Sequence, residues 1–224
     1  MKFLTNVDVT SFYSSFVNLD KQDFDVIIEK YEENQKLIDL LSADQKTDIR
    51  IIYLEALYQI GKYGVFLRQV DDTIEDIFRY NYSGLNGEDS FHKLLLQKAT
   101  ALFHQGYISE AEHVATELVK INPEETLYQA LLTRIYYRKK ESKFHFVKLV
   151  CLALVFISAL IYGINLFVIQ YFTGEYYPIL FDLGFATLNS AVLVYVVGEI
   201  SMFGHSVLKA KKKVKRYKKQ KSPK

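Results

Sequence analysis

Three polar side chains interrupt a long apolar run near the C-terminus: Asp182, Asn189 and Glu199. In a membrane span such groups are costly, so they are candidates for proton or ion transfer, or for contacts to another membrane subunit. At about 100° per residue, Asp182 and Asn189 share one helix face, and Glu199 points about 100° away from Asp182. Since only Asn189 lies near the middle of the run, the pattern favours interfacial or helix-packing roles over a relay.

Other chemistry-bearing patterns are missing from the sequence. It contains no phosphate loop, Gly-rich dinucleotide turn, Cys/His metal spacing or nucleophile elbow. His104 and His113, nine residues apart with Glu110 and Glu112 between them, are typical of chance placement on a surface and not of a metal site. We therefore predict no catalytic residue, no cofactor and no metal, and a protein that is not an enzyme.

Two apolar segments position the polar groups, and they cover residues 149–171 and 179–203. A bilayer core of about 30 Å requires about 20 apolar residues in a helix, so both segments are predicted transmembrane spans joined in a hairpin. Cys151, the single cysteine, is either a small packing residue or a palmitoylated thiol. The pairs Ala159/Gly163 and Ala186/Ser190 could let the two spans pack closely.

Basic residues flank both spans on one side, at Arg138–Lys140 and in the C-terminal tail, while the turn between the spans holds Glu175 and no Lys or Arg. The positive-inside rule then predicts that both termini are cytosolic, with the spans in an inner or plasma membrane. No apolar run of signal-peptide length occurs at the N-terminus, which agrees with a cytosolic N-terminal region.

The preceding region is acidic and has a helical pattern. Residues 1–137 carry 13 Lys/Arg and 22 Asp/Glu, a net charge of −9. Apolar residues recur there at three- and four-residue spacing, which predicts an all-α fold. Asp44 or Thr47 is a candidate N-cap of the third helix, and Asn122 before Pro123 is one for the seventh. No proline or glycine separates the seventh predicted helix from the first span, so the helix can continue into the span. The predicted helices are 8–19, 22–42, 46–60, 63–80, 88–105, 108–121 and 124–142.

Residues 92–123 resemble a tetratricopeptide repeat, which is a pair of antiparallel helices that stacks on neighbouring pairs. Small residues allow close helix approach and glycine allows the tight turn between the helices. Weaker copies turn at Gly61 and near Gln22, and an unrelated helical bundle remains the alternative. The matching positions are Ala99, Leu102, Gly106, Ala111 and Pro123, while Leu95 and Leu118 depart from the usual Trp and Ala.

The resemblance implies that the first helix of each pair lines a groove for a partner helix or an extended peptide. The alternative is that the aromatic members belong to the core and the polar ones are merely solvated. The family's Lys/Asn pattern for a C-terminal carboxylate is not evident. The implied groove residues are Glu55, Tyr58, Gln59, Lys93, Thr100, Phe103 and His104.

The tail after residue 207 is strongly basic, with ten Lys/Arg and no acid over residues 209–224. As a helix it has a modest apolar stripe, and its cations are expected to bind anionic lipid headgroups. A disordered flank that only fixes topology is the alternative. Nucleic acid is not expected, because the tail emerges at a membrane and the attached domain is acidic. The predicted lipid-facing residues are Lys211, Lys212, Lys213, Lys215 and Arg216.

These features predict three parts: a cytosolic helical-repeat domain (1–143), a transmembrane hairpin (144–206) and a basic cytosolic tail (207–224). The expected function is that of a membrane-anchored adaptor that binds a protein partner at the cytosolic face. The alternative is a small accessory subunit of a membrane transporter or channel, packing through the second span.

Overall fold

The computed structural model describes residues 6–82, 89–174 and 178–221, and all regular structure in these ranges is helical. The predicted all-α fold is therefore confirmed. Glu175, on which part of the topology argument depends, lies outside the described residues. The helices are α1 (Asn6–Val17), α2 (Phe24–Glu33), α3 (Gln35–Asp39), α4 (Ala43–Gln59), α5 (Tyr63–Arg79), α6 (Ser90–His104), α7 (Ile108–Ile121), α8 (Thr126–Gly163), a π-helical segment (Ile164–Ile169), α9 (Gln170–Thr173) and α10 (Pro178–Lys221).

Internal contacts divide the chain into two units, Met1–Leu131 (the N-terminal unit) and Leu132–Lys224 (the C-terminal unit). This division follows contacts, whereas the predicted boundary at residue 143 follows hydropathy, and that boundary stays a prediction.

The single helix predicted over residues 22–42 is wrong, because the structure has α2 and α3 with a break at Asn34. The Asn34 side-chain amide donates to the carbonyl oxygen of Lys30 at 2.8 Å, and the Gln35 amide donates to that of Tyr31 at 2.8 Å. Side-chain amides thus satisfy the last carbonyls of α2, which lets the backbone leave the helix.

Two predicted N-caps are also wrong. Ser42, and not Asp44 or Thr47, caps α4 through a capping box with Gln45. Asn122 ends α7, and its side chain accepts a hydrogen bond from the Glu124 backbone N–H at 3.2 Å. This Asx-type turn delays the start of α8 to residue 126.

Three successive helices of the N-terminal unit, α4, α5 and α6, end in the same hydrogen-bonded turn. Gly61 (φ 76°), Asn81 (φ 48°) and Gly106 (φ 84°) adopt the left-handed conformation just after each helix. The backbone N–H of the next residue then donates to a carbonyl five residues earlier, at 2.9 to 3.0 Å. This is the Schellman geometry, and it reverses the chain within three residues after α4 and α6.

The helices of the N-terminal unit pack mostly on their sequence neighbours. α4 contacts α5, α5 contacts α6 and α6 contacts α7, while α4 also contacts α1, α2, α3 and α6. Their common core is apolar and aromatic, and Phe16, Ile49, Leu54, Leu57 and Phe66 are fully buried in it. α4 is therefore the central helix of this unit.

In the C-terminal unit, α8 and α10 run antiparallel and contact each other at two glycines. Ser158 Oγ donates to the Gly184 carbonyl at 2.7 Å, and the Phe144 ring lies against Gly198. A Cβ at Gly198 would fall 2.2 Å from that ring, so the close approach requires glycine there.

The small-residue pairs proposed from sequence do not form this interface. Ala159, Ala186 and Ser190 are exposed, and Ser190 Oγ bonds within its own helix, to the Ala186 carbonyl at 2.8 Å. The spacing is equally compatible with several helix faces, and the face that packs carries Gly184 and Gly198 instead. Cys151 is buried, which favours its packing interpretation.

Two helical segments of the C-terminal unit, Phe144–Phe167 and Pro178–Gln220, are long and apolar enough to cross a membrane. Only 11% of the most apolar window of each segment is buried. α8 continues from residue 126 into the first segment without interruption. Residues 126–143 contain no proline or glycine that would end the helix.

Candidate functional site

A cavity of about 390 Å³ lies in the N-terminal unit between α2, α4 and the start of α6. Its wall is mostly apolar, and three of the seven predicted groove residues line its polar side: Glu55, Gln59 and Lys93. We call it the groove cavity. The remaining lining residues are Val17, Lys21, Phe24, Ile27, Ile51, Ile52, Ala56, Tyr82 and Ser90.

The polar side of the groove cavity is a short chain of contacts. Lys93 Nζ on α6 lies 2.6 Å from Glu55 Oε2 on α4, and Gln59 Nε2 donates to Glu55 Oε1 at 3.2 Å. The Lys93 side chain is 47% exposed and that of Glu55 is 28% exposed. The pair is therefore open to solvent, and each charge can exchange its present partner for another group of opposite sign.

The other four predicted groove residues form a separate aromatic cluster beyond the cavity. His104 stacks on Tyr63 with ring centroids 5.1 Å apart, and Phe103 meets His104 edge-on at 5.8 Å. Tyr58 packs against Tyr63 at 5.6 Å, and Thr100 Oγ1 donates to the Leu96 carbonyl of its own helix at 2.8 Å. Tyr58 and Phe103 are half-buried, and neither lines the groove cavity.

A second cavity of about 600 Å³, more polar than the first, lies between α2, α4 and α5, and the sequence reasoning missed it. Tyr31 and Tyr53 stack there with centroids 3.8 Å apart, and Tyr53 donates to Glu32 Oε1 at 3.2 Å. Burial, followed by the Glu32 charge and hydrogen bond, raises the pKa of Tyr53 to about 12. The spacing of tyrosines along the sequence does not predict which tyrosines on different helices will stack on each other.

The three intramembrane polar residues fall into two environments. Asp182 and Asn189 are exposed on the C-terminal unit. Glu199 accepts a hydrogen bond from the Tyr137 hydroxyl at 2.6 Å and lies 3.7 Å from Lys148 Nζ. The predicted angular separation of Glu199 from Asp182 thus corresponds to a real difference, since Glu199 alone faces α8.

The tail continues α10 as a helix to Lys221. Four of the five predicted lipid-facing residues are exposed, namely Lys211, Lys212, Lys215 and Arg216. The fifth, Lys213, is half-buried, with its Nζ 5.8 Å from the Tyr136 ring centroid. The apolar stripe of the tail does not face outward, because Ala210 and Val214 are buried.

Comparison with known proteins returned no matching family model, no matching curated protein and no matching solved structure.

Proposed function

We propose that this protein is a membrane-anchored adaptor that holds a protein partner in the groove cavity. The observation that carries the proposal is the convergence of Glu55, Gln59 and Lys93 at a cavity that also has an apolar wall, formed by Val17, Phe24, Ile27, Ile51, Ile52 and Ala56. An apolar wall beside a few placed charges suits an amphipathic helix or an extended peptide, whose apolar side chains fill the cavity and whose polar groups bind its edge.

The helix arrangement supports a tetratricopeptide-like architecture for the N-terminal unit. α4/α5 and α6/α7 are neighbouring helix pairs with glycine at their turns, and α4 packs on α6. Ala99 and Ala111 are fully buried, as close approach of α6 and α7 requires. In this architecture the groove is lined by first helices, which are here α4 and α6.

The anchor in this proposal is the α8/α10 pair, which crosses the membrane as a hairpin with both chain termini in the cytosol. Its support is the length and apolar surface of the two segments, together with the basic residues on one side. Anchoring raises the effective concentration of the groove at the membrane, so that a weak groove affinity suffices for capture. An inner or plasma membrane fits this orientation.

The decisive experiment compares two lysine substitutions in partner capture. Lys93→Glu reverses a charge at the groove cavity, whereas Lys120→Glu reverses one on α7 that has a similar exposure and ion-pair distance but is paired within its own helix. Lys120 Nζ also lies 2.6 Å from a glutamate oxygen, and its side chain is 44% exposed. The tagged full chain and both variants are purified in mild detergent, and captured proteins are compared by quantitative mass spectrometry.

We expect one protein to be captured by the wild type and by Lys120→Glu but depleted about tenfold or more in Lys93→Glu, because a charge contact that the bound partner shields from water contributes about 1.4 kcal/mol or more. Residues 1–143 alone should capture the same protein. Equal capture by the two variants would refute the groove proposal. A C-terminal tag accessible from outside the cell would refute the orientation.

One observation favours the accessory-subunit alternative. Asp182 and Asn189 share an exposed face of α10 and point away from α8. A second membrane subunit could satisfy both groups within the bilayer. Replacing both with leucine should abolish capture of such a subunit and leave groove-dependent capture intact.

A further inference from the structure

Asn189 places a side-chain amide near the middle of the apolar segment 179–203. At about 1.5 Å per residue, it lies about 15 Å after Ile179 and about 21 Å before Phe203, which are the ends of that segment. Its side chain is exposed on α10, and it makes no hydrogen bond to the residues that the structure describes. An amide in hydrocarbon without a hydrogen-bonding partner is unfavourable, so a membrane partner that bonds to this amide would be favoured.

The amide lies on the side of α10 that faces away from α8. Gly184 and Gly198, which meet side chains of α8, lie about 140° and 180° around the helix from Asn189 at about 100° per residue. Leu193, about one turn after Asn189, is 64% exposed. Ala186, about one turn before it, is exposed as well, and its small side chain allows a second helix to approach closely. This side of α10 is thus accessible within the C-terminal unit.

A second copy of the chain offers the group that this amide needs. An asparagine side chain contains both a donor and an acceptor, so two of them can bond directly to each other. Two copies inserted in the same orientation are related by a twofold axis along the bilayer normal, and the two Asn189 side chains then lie at the same depth. A different membrane protein would have to present a polar group at that same depth.

Asp182 lies on the same side of α10, but its charge does not prevent the pairing. It is three residues after Ile179, or about 5 Å, so it lies near the end of the apolar segment, where water and headgroups screen a charge. It is also about 10 Å from Asn189 along the helix axis. Two helices that cross at Asn189 diverge over that distance, which separates the two carboxylates.

We propose that two copies of this chain associate within the bilayer through α10, with their Asn189 amides hydrogen-bonded to each other across a twofold axis. In this arrangement the second membrane subunit is another copy of the chain. The inference rests on the proposed crossing of the bilayer by α8 and α10, and it does not depend on the groove cavity.

Förster energy transfer measures the association in lipid. Full chains with donor or acceptor dyes on a C-terminal tag are reconstituted in phosphatidylcholine vesicles at several protein-to-lipid ratios. Asn189→Leu replaces the amide with an apolar group that has the same number of heavy atoms, and Asn189→Gln keeps an amide. The matched control is Ser190→Ala, because the Ser190 hydroxyl lies at nearly the same depth but is already bonded to the Ala186 carbonyl of its own helix, at 2.8 Å.

We expect the wild type and Ser190→Ala to have equal dissociation constants. Asn189→Leu should dimerise about tenfold or more weakly, because a hydrogen bond between membrane helices contributes about threefold to thirtyfold in affinity and an amide pair can make two. Asn189→Gln should dimerise more tightly than Asn189→Leu.

Disulfide crosslinking in the same vesicles locates the contact, in a chain that carries Cys151→Ala. Leu193→Cys lies on the side of Asn189, whereas Val194→Cys lies at nearly the same depth but about 140° around the helix from Asn189. Both positions are exposed, by 64% and 39%. Because a disulfide requires Cα atoms within about 7 Å of each other, we expect covalent dimers from Leu193→Cys and few from Val194→Cys.

Equal dissociation constants for the wild type and Asn189→Leu would overturn the amide pairing, and equal crosslinking by the two cysteine variants would overturn the assigned face. Absence of energy transfer in vesicles would overturn the second copy as the occupant. Reaction of Leu193→Cys with a membrane-impermeant maleimide in intact vesicles would show that this part of α10 is not in the bilayer. That result would overturn the proposed anchor, and it is distinguishable from a failure of the dimer alone.

Discussion

Asp48 is the buried group on which the N-terminal unit most directly depends, and replacing it should test the packing of α1 and α5 on α4. Its carboxylate is 6% exposed. It accepts a hydrogen bond from the Tyr13 hydroxyl of α1 at 2.6 Å, and another from the hydroxyl of Tyr82, just after α5. One carboxylate thus joins three parts of the chain, and Asp48→Ala removes both contacts.

The expected loss is about 2 to 3 kcal/mol in the free energy of unfolding. A hydrogen bond to a charged group contributes about 1.5 to 3 kcal/mol, so two bonds set an upper range of about 3 to 6 kcal/mol. Tyr13 and Tyr82 are only half-buried, and water can replace part of what they lose. Asp48→Asn keeps an acceptor oxygen and the side-chain volume, and should cost about 1 kcal/mol.

Urea unfolding of residues 1–143, followed by far-ultraviolet circular dichroism at neutral pH, measures these differences. If the free energy of unfolding of Asp48→Ala lies within about 0.5 kcal/mol of the wild-type value, as for a neutral surface change, the two tyrosine contacts do not stabilise the fold.

Alkaline pH gives a second measurement on the same contact. Burial, followed by the hydrogen bond and charge of Asp48, raises the pKa of Tyr13 to about 12. Above pH 10 the tyrosine ionises in the unfolded state while it stays protonated in the folded state. The unfolded state then binds fewer protons, so stability falls as pH rises from about 10 to about 12. Because the side chain is partly exposed, the discounted loss is about 1 kcal/mol. Tyr13→Phe should remove this part of the decline, and an unchanged decline would contradict it.

Two further predictions concern glycines. The control for each is another glycine at which an added Cβ would contact no neighbouring atom. Gly106→Ala should lower the urea midpoint of residues 1–143 by the equivalent of about 1 kcal/mol, because its φ is +84°, while the helical Gly64→Ala should be neutral or stabilising. Gly198→Leu should destabilise the full chain in detergent by about 1 to 3 kcal/mol by displacing the Phe144 ring, whereas Gly204→Leu should not. Equal thermal aggregation temperatures for the two leucine variants would exclude the close approach of the Phe144 ring to Gly198.

Helical periodicity is local, and for that reason the all-α fold and the helix pairs around Gly61 and Gly106 were predictable from the sequence. The break at Asn34 was not. The break arises because backbone and side-chain donors compete for the same carbonyls. The two kinds of hydrogen bond differ in free energy by only about 1 kcal/mol, and the spacing of apolar residues does not resolve such a difference. The N-cap at Ser42 was missed for a similar reason, because several polar residues near a helix start can each act as the cap.

That the cavity is a groove for a partner stays a prediction, but which of its residues meet follows from which helices are neighbours. Residues on α4 and α6 were expected to share a surface, and Glu55, Gln59 and Lys93 do line one cavity. The division of the remaining residues into an aromatic cluster was not predictable. It depends on the Tyr63 ring, which lies on a second helix of a pair and stacks on His104. Contacts between first and second helices are set by rotations that the sequence pattern leaves open.

Helical periodicity also leaves open which polar residues of α10 face α8, and the arrangement in the structure bears on function. Periodicity alone required Asp182 and Asn189 to share a face and Glu199 to lie elsewhere, but it did not say which face meets α8. In the structure Gly184 and Gly198 provide the only close approaches described for glycines on α10, and they bring Glu199 within reach of Tyr137 and Lys148. Glu199 is consequently satisfied inside the unit, and Asp182 and Asn189 are left on its outer surface. A second membrane subunit would therefore meet α10 at the Asp182/Asn189 face, and a substitution at Glu199 should act through the α8/α10 packing instead of through a partner.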